Sequence, residues 1–220
     1  KAAIIWLYLR LAERRTDMYI KRHMEETIKE CLEQFPIVLV TGPRQVGKTT
    51  LLQNVCDKFQ YVTLDDPIVL TQALEETNLF LKNYQPPVFI DEVQYAPSIF
   101  RYLKMYVDTN KQKGSFALTG SQAFELMKGV SETLAGRMAI VELKGLSLRE
   151  IHHIEFNKPF IPNEAYFNER QLQIQSYSDL WYWIHRGSMP QLQDGEMNWQ
   201  RYYSCLLYTS PSPRDRTRSR

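Results

Sequence analysis

From Gly42 to Thr50 the chain reads GPRQVGKTT, and from Asp91 to Pro97 it reads DEVQYAP. The first stretch suits a phosphate. Gly42 and Gly47 let the backbone wrap an anion with its N–H groups, Lys48 carries a cation to the β and γ oxygens of a nucleotide, and Thr49 offers a hydroxyl to Mg²⁺. A helix opening at Lys48 adds the positive end of its dipole. The expected ATP cradle runs through Gly42, Pro43, Arg44, Gln45, Val46, Gly47, Lys48, Thr49 and Thr50, with Arg44 read as a solvated or loop-bracing residue. In the second stretch Asp91 ends the apolar run VFI, where an acid can hold the water shell of Mg²⁺, and Glu92 follows as a base for an attacking water. An exposed Asp-Glu pair also occurs at solvated loop edges, but rarely straight after a buried strand. The expected metal ligands are Thr49 and Asp91. Glutamate after the metal-holding acid points to water-attacking ATPases and away from small GTPases, which orient water with glutamine. It also argues against a metabolic phosphotransferase, which would lose its ATP to water. No N-K-x-D stretch selects guanine.

Two further segments bear on turnover. LTGSQ, Leu118 to Gln122, ends an apolar run, and either Thr119 or Ser121 is placed to sense a γ-phosphate; a plain turn with a helix-capping serine is the competing account. In SETLAGRMAIVEL, Arg137 precedes the last strand at the rim of the subunit. It is a candidate to stabilise transition-state charge in a neighbouring copy, against a surface salt bridge as the alternative.

These residues need a scaffold that brings strand ends together. Met24, Ile28, Leu32 and Phe35 recur at helical spacing up to Pro36, and IVLVT, Ile37 to Thr41, is a continuous apolar run typical of a buried parallel strand. A helix is expected over Thr49 to Phe59. Strands are expected over Tyr61 to Leu64, Val88 to Ile90, Ser115 to Thr119 and Ala139 to Leu143. Asp65, Asp66 and Pro67 make a helix start, a helix covers about Pro97 to Asn110, and another lies around AFELMKGVSETL. Strands alternating with helices imply an α/β fold, a parallel sheet of about five strands sandwiched by helices.

The 220 residues suffice for one such domain and part of a second. Three cysteines without C-x-x-C spacing signal neither a disulfide framework nor zinc, so a reducing, cytoplasmic compartment is expected. The apolar run Ala2 to Leu9 is far short of the ~20 residues that span a bilayer, and no membrane partner is expected. The chain begins without methionine and Met18 precedes a helical pattern, so residues 1–17 read as a leader of doubtful nativeness. The tail CLLYTSPSPRDRTRSR, residues 205–220, loses periodicity and resembles translated adapter read-through, with a native basic tail as the rival. The tail holds four of the 27 basic residues and one of the 25 acids, the leader four and two. The remainder thus carries 19 basic and 22 acidic residues, net −3 rather than +2, and its bulk charge supports no nucleic-acid footprint.

Taken in order, TGPRQVGKTT, YVTLDDP, FIDEVQYAP, LTGSQ, TLAGR and LKGLSLREI resemble a family of prokaryotic AAA-type, archaeal-ATPase-like ATP-binding proteins that carry a C-terminal domain of unknown function. The resemblance runs from about Met18 to Ser204 and takes in LWYWIHRGSMPQL and NWQRYYS. It implies a P-loop NTPase of AAA/ASCE type over residues 18–150 and the beginning of a mainly helical, truncated C-terminal domain over 151–204. It further implies MgATP hydrolysis with Glu92, Arg137 and Thr119 or Ser121 as the catalytic set, possible homo-oligomers, and an unidentified protein or nucleic-acid partner. The functional alternatives are a switch or motor driven by ATP and a DNA-processing factor such as a loader or helicase-like enzyme. A second lobe or a basic strand-tracking patch would mark the helicase, and neither is visible. His152 and His153, about 100° apart if helical, suit no shared metal. Trp181, Tyr182 and Trp183 read as core before they read as base-stacking.

Overall fold

The computed structural model describes residues 19–121, 134–156, 158–173, 180–193 and 195–209. The helix expected around AFELMKGVSETL and most of both termini lie outside that set. The chain divides into two units, Lys21–Gly145 and a second made of Lys1–Ile20 with Leu146–Arg220.

The first unit opens with α1 (Met24–Gln34), whose pattern stops ahead of Pro36, and β1 (Ile37–Thr41) follows at once. α2 (Lys48–Val55), β2 (Gln60–Thr63), α3 (Pro67–Glu75), α4 (Thr77–Asn83), β3 (Val88–Asp91), α5 (Ile99–Asn110), β4 (Phe116–Gly120) and β5 (Met138–Glu142) come next among the described residues. The five strands form one parallel sheet in the order β2-β3-β4-β1-β5, as the alternation of strand and helix patterns requires. β4 therefore lies between β1, which feeds the loop, and β3, which ends in Asp91. β1, β3 and β4 are buried along their whole length, which is why their sequences are continuous apolar runs rather than alternating ones. The edge strands β2 and β5 carry exposed positions.

One face of the sheet presents Ile37, Leu39, Val62, Ile90, Phe116 and Leu118 to the buried stripe Ile99, Phe100, Leu103 and Val107 of α5 and to Ala73 and Phe80 of α3 and α4. Burying each of these larger side chains stabilises by about 1.5–3 kcal/mol. α1 packs on β1, and α2 on α1 and β4. Local signals set the ends. Asp66 accepts from the N–H of Ile68 and Val69 and caps α3, with Pro67 at its first turn. α2 ends at Val55, four residues short of the expected Phe59. Cys56 leaves helical geometry, and the chain must turn so that Gln60 can pair with Val88.

In the second unit Ser147 and Glu150 form a capping box at α6 (Leu148–Ile151), and Asn163 caps α7 (Glu164–Gln171). His152 and His153 lie past the end of α6 with His153 left-handed, so they are not the helical pair considered above. α8 (Leu180–Arg186) leaves Trp181 and Tyr182 exposed. α9 (Trp199–Thr209) runs five residues into the segment read as an aperiodic tail, because no breaker occurs before Pro211. Among the described residues no helix is long and apolar enough to cross a membrane.

Candidate nucleotide site

Parallel strands end on one edge of the sheet, so Thr41, Asp91 and Gly120 deliver their following loops to the same place. The loop after β1 is tightly constrained. Gly42 has φ 144°, and a Cβ there would sit 2.1 Å from the Leu143 carbonyl oxygen, so only glycine fits. Gln45 (φ 63°) and Gly47 (φ 89°) are also left-handed, the kind of backbone from which anion-binding turns ahead of a helix are built. The loop is braced from outside its own sequence. The buried Arg22 donates Nη1 to the Val46 carbonyl at 2.8 Å and Nη2 to the Lys144 carbonyl at 2.6 Å. Arg44, the bracing candidate of the sequence, is exposed, as are Pro43, Gln45 and Thr50.

Lys48 is 6% exposed, and its Nζ donates to the carbonyls of Gly42 (3.0 Å) and Pro43 (2.8 Å). Burial pushes its ammonium down from the ordinary lysine value, while the carboxylates of Glu92 and Asp91 oppose that shift. A buried cation at the first residue of a helix, held against a glycine-containing loop, is a fit for a polyphosphate.

Asp91 is the hub. The Thr49 hydroxyl donates to both its oxygens at 3.0 and 3.1 Å, the Tyr61 phenol donates to Oδ2 at 3.1 Å, and the fully buried Thr119 hydroxyl donates to Oδ1. Thr49 and Asp91, expected as metal ligands, are thus brought together from α2 and β3 across the intervening β4, and their oxygens are of the type Mg²⁺ takes. Tyr61 sits on β2 and was not singled out by the sequence. Burial and the adjacent Asp91 carboxylate push its phenol up to about 12, so it stays a donor at neutral pH although its ring is half-exposed.

Glu92 follows with left-handed backbone (φ 59°, ψ 46°), a conformation costing a non-glycine residue about 1–3 kcal/mol. Its N–H donates to the Thr119 hydroxyl at 3.1 Å. Its carboxylate is met by Gln94 Nε2 and lies 3.5 Å from the Ser121 hydroxyl. The two β4 hydroxyls therefore differ. Thr119 is turned inward onto the Asp91-Glu92 junction, and Ser121 stands past the strand end beside the Glu92 carboxylate.

Arg137 is not part of this cluster. It immediately precedes β5, and its carbonyl accepts from the N–H of Ile37, the first residue of β1. The length of β1 separates it from its own loop, about 15 Å at about 3.3 Å per residue. Its side chain forms an exposed ion pair with Asp108 of α5.

An uncharacterized protein of Mycobacterium tuberculosis is 36% identical over 133 residues, which is 60% of this chain and 30% of that protein, and one of Mycobacterium bovis gives the same values. The chain thus spans 30% of the length of the curated relatives it matches. Among solved structures, a Walker-type ATPase of Pyrococcus abyssi aligns with a TM-score of 0.52 at 14% identity, over 88% of this chain and 73% of that one. A DNA replication initiation factor aligns at 0.50 and 18%, over 78% and 57%. At such identities the likeness is one of fold. Residues 34–152 match the family described as AAA domain, a span that begins just before β1 and holds every strand of the sheet but none of α7 to α9. On that match over more than half its length, the chain belongs to the AAA-domain family.

Proposed function

We propose that the protein hydrolyses MgATP, with Lys48 on the β and γ oxygens, Thr49 and Asp91 holding the metal, and Glu92 as the base. The observation that carries this reading is the Thr49-Asp91 pair: a hydroxyl from the end of the phosphate loop bonded to the acid that directly precedes a glutamate. A Mg²⁺ held by Thr49 and Asp91 would neutralise charge developing on the phosphates. The chain's own residues do the rest. Glu92 takes a proton from water as the water oxygen bonds to the γ-phosphorus and the anhydride bond to ADP breaks. Thr119 holds the Asp91 carboxylate and the Glu92 N–H together, so the metal-holding acid and the base keep a fixed relation.

Arg137 is assigned to a neighbouring copy's site in a homo-oligomer, a reading supported by its exposure and its distance from its own loop. The second unit is assigned the handling of a partner. The acidic balance of residues 18–204 favours a protein over a nucleic acid, and three cysteines without C-x-x-C spacing fit a reducing, cytoplasmic compartment.

The test is Glu92→Gln. It should leave ATP affinity intact and slow steady-state hydrolysis about 10²-fold or more, as loss of a positioned base does. Wild-type turnover in a folded Glu92→Gln protein that still binds MgATP would move the base to another residue.

A further inference from the structure

The Glu92 carboxylate is not left to find its own position. Two residues downstream, Gln94 lies in the 3-10 turn Val93–Tyr95, which the left-handed backbone of Glu92 and the Tyr95 N–H to Glu92 carbonyl bond (3.1 Å) fold back toward the strand ends. Gln94 there makes three contacts. Its Oε1 accepts from the Ser121 backbone N–H at 3.2 Å, its Nε2 donates to the Ser121 hydroxyl at 3.2 Å, and the same Nε2 donates to Glu92 Oε2.

The orientation of this amide is forced by its partners. A backbone N–H can only donate, so the side-chain oxygen must face Ser121. A carboxylate can only accept, so the nitrogen must face Glu92. A flipped amide would set oxygen against oxygen and N–H against N–H. The amide therefore ties one carboxylate oxygen, Oε2, to the tip of β4, and leaves Oε1 outside that bond. Thr119 fixes the backbone of Glu92 to the same strand, so the residue is held at both ends by β4, one strand away from the phosphate loop.

We infer that Gln94 is a positioning residue that fixes the Glu92 carboxylate to the tip of β4 so that its free oxygen addresses the attacking water. The inference rests on the reading of Glu92 as the base. It differs from that reading in making the rate depend on a residue that acts through the Glu92 carboxylate.

The experiment uses the full-length protein with MgATP and compares Gln94→Met, which keeps the length but removes both polar atoms, with Gln94→Glu, which keeps the shape but sets a second carboxylate against Glu92. Both should lower kcat about tenfold or more while KM and ATP affinity stay within about twofold, as misplacement of a catalytic group does. In a Glu92→Gln background, Gln94→Met should cause no further loss, because its effect passes through the Glu92 carboxylate. Wild-type kcat in either folded Gln94 variant would overturn the inference while leaving Glu92 as base, and so would a loss that adds to that of Glu92→Gln. Wild-type turnover in Glu92→Gln alone would instead remove the base reading and this inference with it. Should Gln94→Met lose its cooperative thermal transition, Gln94→Glu decides the matter by the same two readouts.

Discussion

The two edges of the sheet are made by the same five strands and are held together in different ways. At the amino edge the ties run from backbone to backbone: Ile37 to Arg137, Val88 to Ser115, Phe116 to Pro36 and Gln60 to Pro87. The side-chain pair noted there, Arg137 with Asp108, is exposed and worth at most about 1 kcal/mol. At the carboxyl edge the backbone ties, Leu64 to Asp91 and Leu143 to Thr41, are joined by side-chain ties across three strands and a helix: Thr49, Tyr61 and Thr119 bond to Asp91, and Gln94 bonds to Glu92 and Ser121. An edge built of backbone bonds tolerates many sequences. An edge built of side-chain bonds fixes residue types, because each donor needs its acceptor at one distance, and a charge buried there costs several kcal/mol when its partner is lost.

The largest break in this contrast should come from Lys48→Ala. Removing the buried cation leaves phosphate charge uncompensated, and ATP binding by calorimetry should weaken by about two orders of magnitude or more, in line with losing one partner of a desolvated charge pair. The pH dependence carries a sign. Burial disfavours the Lys48 ammonium, so toward the ordinary value of 10.5 the unfolded chain binds more protons than the folded one. The Lys48 contribution to unfolding free energy without nucleotide should therefore rise with pH in that range, while ATP affinity falls. Lys48→Met should lose the stability trend, which chemical denaturation at stepped pH would read.

Arg137→Ala tests whether the amino edge is structural alone. If Arg137 serves a neighbour, turnover per chain should rise with protein concentration. The variant should lose about tenfold or more in turnover with ATP binding intact, and mixing it with Glu92→Gln should restore part of the activity. Concentration-independent turnover with no rescue in mixed oligomers would confine Arg137 to its ion pair with Asp108.

The smallest effect sharpens the carboxyl edge. Tyr61→Phe deletes one donor to Asp91 Oδ2 and keeps the ring contact with Phe89. A single hydrogen bond of about 1 kcal/mol corresponds to roughly fivefold, expected as a higher Mg²⁺ midpoint for hydrolysis with metal-free ATP binding unchanged. An unchanged Mg²⁺ titration would make Tyr61 a packing residue.

How much of this was legible before folding divides along the same line. Continuous apolar runs gave β1, β3 and β4, and their parallel pairing in the structure agrees with the alternation of strands and helices. Gly-x₄-Gly-Lys-Thr marked the loop because its demands are local: a glycine where φ is 144°, a lysine at a helix start. Asp66 announced a cap for the same reason, since its bonds reach only two and three residues ahead. The end of α2 was misplaced because pairing of Gln60 with Val88, a tertiary event, cuts the helix short.

The sequence by itself determined the elements, the phosphate loop and the Asp91-Glu92 pair, because periodicity, turn chemistry and motif spacing act over a few residues. Only the tertiary structure decided who holds those groups. Arg22 reaches Val46 from 24 positions away and Lys144 from 122, Tyr61 reaches Asp91 across 30, and Ser121 meets Gln94 across 27. No local pattern records such pairs. They follow from a strand order that places β4 between β1 and β3 and brings the strand tips within hydrogen-bond reach of one another.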